Sequence, residues 1–256
     1  MTSVEMWIGG LDAWVITLIF ASAMVAFFGV GSWRGRRSPA PPGDTSEKYT
    51  DASMALLGLL LAFSFSMALN RYDNRLQAMV AETNAIGDLY TNATLLPEPT
   101  RSEFQELLFN YTTHRLEGRR QQALRNEQER VLLEARQMQA TATAMVSKMV
   151  DEHTPITVPL VNTLNAVTSS SATYVAAYRE RLPAVVFMLL LAGSVIPAFL
   201  MGRQGATTTV HKSGPLGFGL LVTLVIYVIF DLNQPSGGLI TVRDEPLVEL
   251  LKSMAK

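Results

Sequence analysis

Four stretches of the chain are apolar over unusual lengths, and polar segments separate them. They run over about 11–33, 53–69, 184–201 and 216–230, and Asp12, at the edge of the first, is the one Asp, Glu, Lys or Arg inside those limits. A hydrocarbon core about 30 Å thick needs about 20 mostly apolar residues in a helix. A charge at its centre costs about 2.5–3.5 kcal/mol. The pattern therefore predicts four transmembrane helices.

The polar region between the second and third stretches carries most of the charge, and its pattern predicts helices throughout. The predicted fold class is all-α: an integral membrane protein with four transmembrane helices and a helical soluble insert between the second and third. Residues 1–70 form the first transmembrane hairpin, with a proline-rich loop at 38–48, and 71–182 form the insert. Residues 183–231 form the second hairpin, and 232–256 form a C-terminal turn and a short amphipathic helix.

Within the insert, helical spacing extends the second span as far as Tyr90, until Pro97 and Pro99 end it. A long helix is predicted over 100–151, and four of its apolar residues recur every seven positions: Leu124, Val131, Met138 and Met145. Such a narrow seam suits packing against one neighbouring helix, either in the same insert or in another subunit. Another helix is predicted from Val158 to Arg181.

The C-terminal segment begins with a turn by composition over 231–238. A short extended piece is predicted at 239–242. Pro246 suits the first turn of a final helix, whose apolar residues lie on one side.

Composition and motifs narrow the function further. The formal net charge of −1 gives no reason to expect nucleic-acid binding. The absence of cysteine excludes disulfides and thiolate metal sites. His114, His153 and His211 lie far apart, and none has a partner at zinc-ligand spacing. The sequence contains no phosphate-binding glycine loop and no nucleophile elbow. We therefore expect no enzyme, no cofactor and no metal site.

The basic residues suggest an orientation. Arg34, Arg36 and Arg37 follow the first span where a signal peptide would have its cleavage site, so we expect a retained anchor. The positive-inside rule places the short loops 34–51 and 202–215 in the cytoplasm, and the insert with both termini outside.

Several segments around the second and fourth spans resemble a known family. They are Gly58–Ser66, Arg71–Asp73, Glu82–Gly87, Leu95–Pro99 and Asp231–Ile240. Their order is similar to that of the bacterial bestrophin-like domain family, membrane proteins of unknown function distantly similar to bestrophins. Bestrophins are pentameric ion channels whose pore is lined by the second span. The resemblance implies a homo-oligomeric ion channel of the bacterial inner membrane, a pentamer by analogy with bestrophins, with lipid, inorganic ions and further copies of itself as partners.

Two family features do not carry over to this sequence. Bestrophins have their soluble helical part in the cytoplasm, whereas the basic residues here predict an outside insert. No cluster of acidic residues follows the fourth span as in the calcium-binding region of animal bestrophins. Calcium gating is therefore not implied.

A graded stripe on the second span gives the residue-level hypothesis for a pore. At spacings of three and four, one helix face carries Leu59, Phe63, Ser66, Asn70, Asp73 and Gln77. In a symmetric assembly this face could line a water-filled path, with Phe63 as a constriction and Asn70 or Asp73 as a selectivity ring. The alternative is that the serines and Gly58 serve helix packing.

Two charged residues at the ends of the spans can also be interpreted either as part of a pore or as structural. Arg71 and Asp231 either shape a pore mouth or anchor the helices at the membrane interface. For the whole chain, the alternative to a channel is a membrane-anchored helical sensor or scaffold without a pore.

Overall fold

The structure, a computed structural model, describes residues 12–38, 46–121, 128–205, 213–234 and 238–255. All regular secondary structure in these ranges is α-helical, which confirms the predicted all-α class. The helices are α1 Ala13–Arg37, α2 Ser46–Ala93, α3 Thr100–Gln121, α4 Gln128–Asp151, α5 Thr157–Arg179, α6 Ala184–Gly205, α7 Ser213–Asn233 and α8 Glu245–Met254. Most of the proline-rich loop predicted at 38–48, and 206–212 of the second short loop, lie outside the described residues.

The described residues pack as two units. The membrane unit contains those within Met1–Tyr72, Arg181–Gln234 and Gly238–Ile240. The helical unit contains those within Asp73–Glu180 and Thr241–Lys256, so α8 belongs to it. The division between Tyr72 and Asp73 falls inside α2.

Four stretches in the described residues are long and apolar enough to cross a membrane: Ala13–Arg37, Glu47–Ala93, Thr157–Gly205 and Gly214–Asn233. In the membrane unit, many large apolar side chains are exposed at the surface. Val25 is 73% exposed, and Leu216 and Leu220 are 74% and 67% exposed. So much open apolar surface is typical of helices that face lipid.

The two tryptophans of α1 are consistent with a membrane crossing. Trp14 and Trp33 are both more than half exposed and lie near opposite ends of the helix. At 1.5 Å per residue they are about 28 Å apart, close to the thickness of the hydrocarbon core. The guanidinium carbon of Arg37 lies 4.1 Å from the centroid of the Trp33 ring. Aromatic and basic residues together are typical of a membrane interface.

Within the membrane unit, α1 and α6 run in the same direction and touch through their backbones. The rings of Phe20 and Phe187 lie 5.1 Å apart near the helix starts. Towards the other end, a Cβ added at Gly31 would collide with the carbonyl oxygen of Phe199, and one at Gly202 with that of Phe28. Glycine is needed at both positions because any side chain would force the helices apart.

In the helical unit, α3 and α4 form an antiparallel pair, so the single helix predicted over 100–151 is wrong. Tyr111 contacts Gln139 and His114 contacts Glu134, which places the start of α4 beside the end of α3. Residues 122–127, between the two helices, lie outside the described residues.

The apolar seam of α4 packs against other helices of the same chain, which is one of the two interpretations given for it above. Met138 and Met145 pack against a core that contains Ile86, Phe104 and Leu160, all fully buried. Leu124 and the side chain of Val131 lie outside what the structure describes.

The C-terminal helix α8 packs into the helical unit through Leu247 and Met254, which are buried. The Tyr90 hydroxyl donates to the backbone carbonyl of Met254 at 3.0 Å. Residues 239–242, predicted to be extended, form bends and irregular backbone rather than a strand.

Candidate functional site

The long helix α2 has one buried side and one open side. Its buried side includes residues at intervals of three and four and, from Ala68 to Arg75, seven positions: Leu57, Leu61, Ser64, Ala68, Arg75, Met79, Glu82, Ile86, Leu89 and Ala93. This spacing is that of a helix packing along a single seam. The described residues of the rest of the chain therefore leave the opposite side of α2 uncovered.

The six residues predicted to line a pore all lie on or beside the open side of α2. Leu59 and Phe63 are 52% and 61% exposed. Ser66, Asn70 and Gln77 are also exposed, and Asp73 is half-buried. With a rise of 1.5 Å per residue, the six extend over about 27 Å of helix. The structure thus brings them onto one face that passes from apolar through hydroxyl and amide to carboxylate side chains.

The two arginines of α2 lie off this open face. Arg71 is half-buried, and its Nη1 donates to the backbone carbonyl of Met67, one turn earlier, at 3.3 Å. Arg75 is 2% exposed and belongs to the buried seam. Neither guanidinium is therefore presented where the predicted pore residues are.

The other predicted charge, Asp231, is 1% exposed and binds the backbone of Leu239 and Ile240. Its carboxylate accepts the backbone N–H groups of Leu239 and Ile240 at 3.0 and 2.8 Å. A Cβ on Gly238 would lie 2.6 Å from Oδ1 of Asp231, so a side chain there would displace the carboxylate. The Asp231 carboxylate is therefore buried and bonded to its own chain, not presented to solvent.

A buried ion pair lies at the centre of the helical unit. Nη2 of Arg115 lies 2.6 Å from Oε2 of Glu82, and both side chains are at most 4% exposed. The Tyr111 hydroxyl donates to Oε1 of Glu82 at 3.3 Å and accepts from Nε2 of Gln139 at 3.0 Å. Each oxygen of the Glu82 carboxylate thus has a partner, as a buried charge requires.

The protonation of this group follows from its surroundings. Burial raises the pKa of the Tyr111 phenol, and the nearby Glu82 carboxylate raises that pKa further. Burial by itself would lower the pKa of the Arg115 guanidinium, but attraction to Glu82 outweighs it, so that pKa lies above its usual value. The phenol stays neutral and the guanidinium charged across the physiological range.

A second arginine connects this region to the C-terminal segment. The guanidinium carbons of Arg115 and Arg119 lie 4.9 and 5.5 Å from the centroid of the Tyr174 ring. Nε of Arg119 donates to Oδ1 of Asp244 at 2.8 Å, and its Nη2 to the carbonyl of Val242 at 3.2 Å. The residues that lead into α8 are therefore fixed to α3.

Sequence reasoning did not predict this polar group. One signal was present: Glu82 falls on the heptad-like seam that Met79 and Ile86 share, so a buried carboxylate needing a cation could have been expected. Its partner, 33 positions away on α3, carried no signal, because Arg115 has the same residue type as several solvated arginines.

Within the described ranges, no three His, Asp or Glu side chains lie close enough together to hold a metal ion. His114 pairs with Glu134 at 2.5 Å, and Nδ1 of His153 lies 2.9 Å from the carbonyl of Asp151. His211 lies outside the described residues.

Comparison with known families accounts for nearly the whole chain. The family model described as Bestrophin-like domain matches residues 14–247. The chain belongs to the bestrophin-like family. Among the residues matched in this bestrophin-like chain are α2, the Glu82–Arg115 pair and Asp231. No curated protein and no solved structure matches it. The family and the four apolar helices together indicate a protein of the membrane.

Proposed function

We propose that this bestrophin-like chain assembles into a homo-oligomeric ion channel in which the open face of α2 surrounds the axis. One observation carries the proposal: α2 buries one side along its length and leaves the opposite, graded side uncovered. A second copy related by rotational symmetry can cover the flanks of that face, and a ring of copies closes around it. Five copies is the number that similarity to bestrophins suggests.

The order of side chains on the face suits ion conduction. Leu59 and Phe63 would form an apolar neck that excludes water when narrow, and Asn70 and Asp73 a polar ring next to it. No catalytic step is part of this role. The bilayer proposed is the bacterial inner membrane, with the basic end of α1 at Arg34, Arg36 and Arg37 in the cytoplasm.

The first test is the mass of the purified protein in mild detergent, followed by current recordings in planar bilayers. A ring of four or more subunits and salt-dependent single-channel currents are expected. Phe63→Ala should change the conductance because it widens the neck. Phe65→Ala is the matched control, since this ring is 39% exposed but lies two positions along, on another side of α2.

Two results would contradict the proposal. A monomer in detergent would favour the membrane-anchored sensor or scaffold, as would the absence of current under every ionic condition. The orientation is tested with a reporter enzyme that is active only outside the cytoplasm. Fused after Lys256, it should be active, because we expect the C-terminus to lie outside.

A further inference from the structure

Beyond Leu59, the formal charges on the open side of α2 are all negative. Between Leu59 and Ala93, α2 carries Arg71, Asp73, Arg75, Glu82 and Asp88 as its formal charges. Asp88 is exposed and follows Asn70 by eighteen residues, or about five full turns, which places the two on one line along the helix. Asp73 is half-buried at the edge of the same face. Both charges that belong to the open side are therefore negative.

The remaining three charges of this stretch are held away from the open side. Arg71 donates to its own helix backbone, and Arg75 is buried in the seam. Glu82 is buried and neutralised by Arg115 at 2.6 Å. Within the part of the chain that the structure describes, neither Asp73 nor Asp88 takes part in an ion pair. Their charge is thus left uncompensated by the chain itself.

We propose that the channel selects monovalent cations over anions, and that Asp73 and Asp88 are the residues that determine this selectivity. The inference rests on the proposed function, because it needs α2 to face an axial path. Symmetry would repeat both carboxylates in every subunit and form two rings about 22 Å apart, at 1.5 Å per residue. Charged clefts with low-dielectric walls raise the local concentration of counter-ions by about tenfold or more.

The experiment is a reversal-potential measurement on the full-length protein in planar bilayers under a KCl gradient. We expect K⁺ to be favoured over Cl⁻ by about tenfold or more at low salt, and less at high ionic strength as the carboxylates are screened. In the double variant Asp73→Asn, Asp88→Asn the permeability ratio should approach 1. Glu106→Gln, which removes an exposed carboxylate from α3, should leave the ratio unchanged. All variants are first checked for wild-type mass and melting temperature.

The outcomes separate the inference from the proposed function. Anion-selective or unselective wild-type currents would overturn the inference and leave the channel intact. Cation-selective currents that persist in the double variant would overturn the assignment to these two aspartates. No current from any preparation would remove the proposed function, and the inference with it.

Discussion

Removing the carboxylate of Glu82 should destabilise the helical unit far more than removing an exposed one. In Glu82→Gln the Arg115 guanidinium stays buried, at 2% exposure, but loses its counter-charge. Breaking a buried ion pair from one side costs about 3–5 kcal/mol, because the remaining charge is desolvated without compensation. For a chain of this size, 1 kcal/mol corresponds to about 2–4 °C in melting temperature. We therefore expect a fall of roughly 6–20 °C.

The measurement is thermal unfolding of the protein in detergent, followed by circular dichroism at a helix-sensitive wavelength. Glu134→Gln is the matched control, because its pair with His114 is partly exposed, at 36% for the glutamate and 20% for the histidine. That substitution should cost about 1 kcal/mol or less.

A double variant distinguishes loss of the pair from loss of packing. Glu82→Gln combined with Arg115→Met removes both charges and keeps most of the side-chain volume, so it should recover much of the lost stability. A Glu82→Gln protein that melts within about 2 °C of the wild type, less than 1 kcal/mol, would refute the reasoning. The reasoning would also be refuted if adding Arg115→Met to Glu82→Gln lowered the stability by as much again as Glu82→Gln did alone.

Three further predictions follow from close contacts and from titration. Gly31→Ala should lower the melting temperature in detergent, because the new methyl group meets the backbone of α6. We expect this overpacking to cost about 1–3 kcal/mol. Gly29→Ala is the control and should leave the melting temperature unchanged, because a Cβ at Gly29 has open space. Gly238→Ala should also lower the melting temperature in detergent, because its methyl group would displace the Asp231 carboxylate from the amides of Leu239 and Ile240. The Tyr111 phenol has a pKa above its ordinary 10.0, so the unfolded chain releases that proton first, and stability present below pH 10 should fall as the pH rises further. Tyr111→Phe should lose less stability than the wild type between pH 9 and 11, and equal slopes would contradict the assignment.

The sequence alone determined which segments enter the membrane. Spanning a bilayer depends on the length and apolarity of one continuous segment, and 11–33, 53–69, 184–201 and 216–230 have both. Helicity followed as well, since a helix satisfies its backbone hydrogen bonds within the segment. The graded stripe from Leu59 to Gln77 was likewise visible as a spacing, because residues on one helix face are set by the helical period.

Only the tertiary structure decided which sides of the helices are covered. Inside the bilayer the second span is apolar all round, so its sequence cannot tell the buried Leu57 from the open Leu59. The antiparallel pairing of α3 and α4 rests on contacts such as that of Tyr111 with Gln139, which join residues far apart in the sequence. The pairing of Glu82 with Arg115, and the capture of the Leu239 and Ile240 amides by Asp231, join residues by their positions in space. Those positions depend on how whole helices pack, which no local pattern specifies.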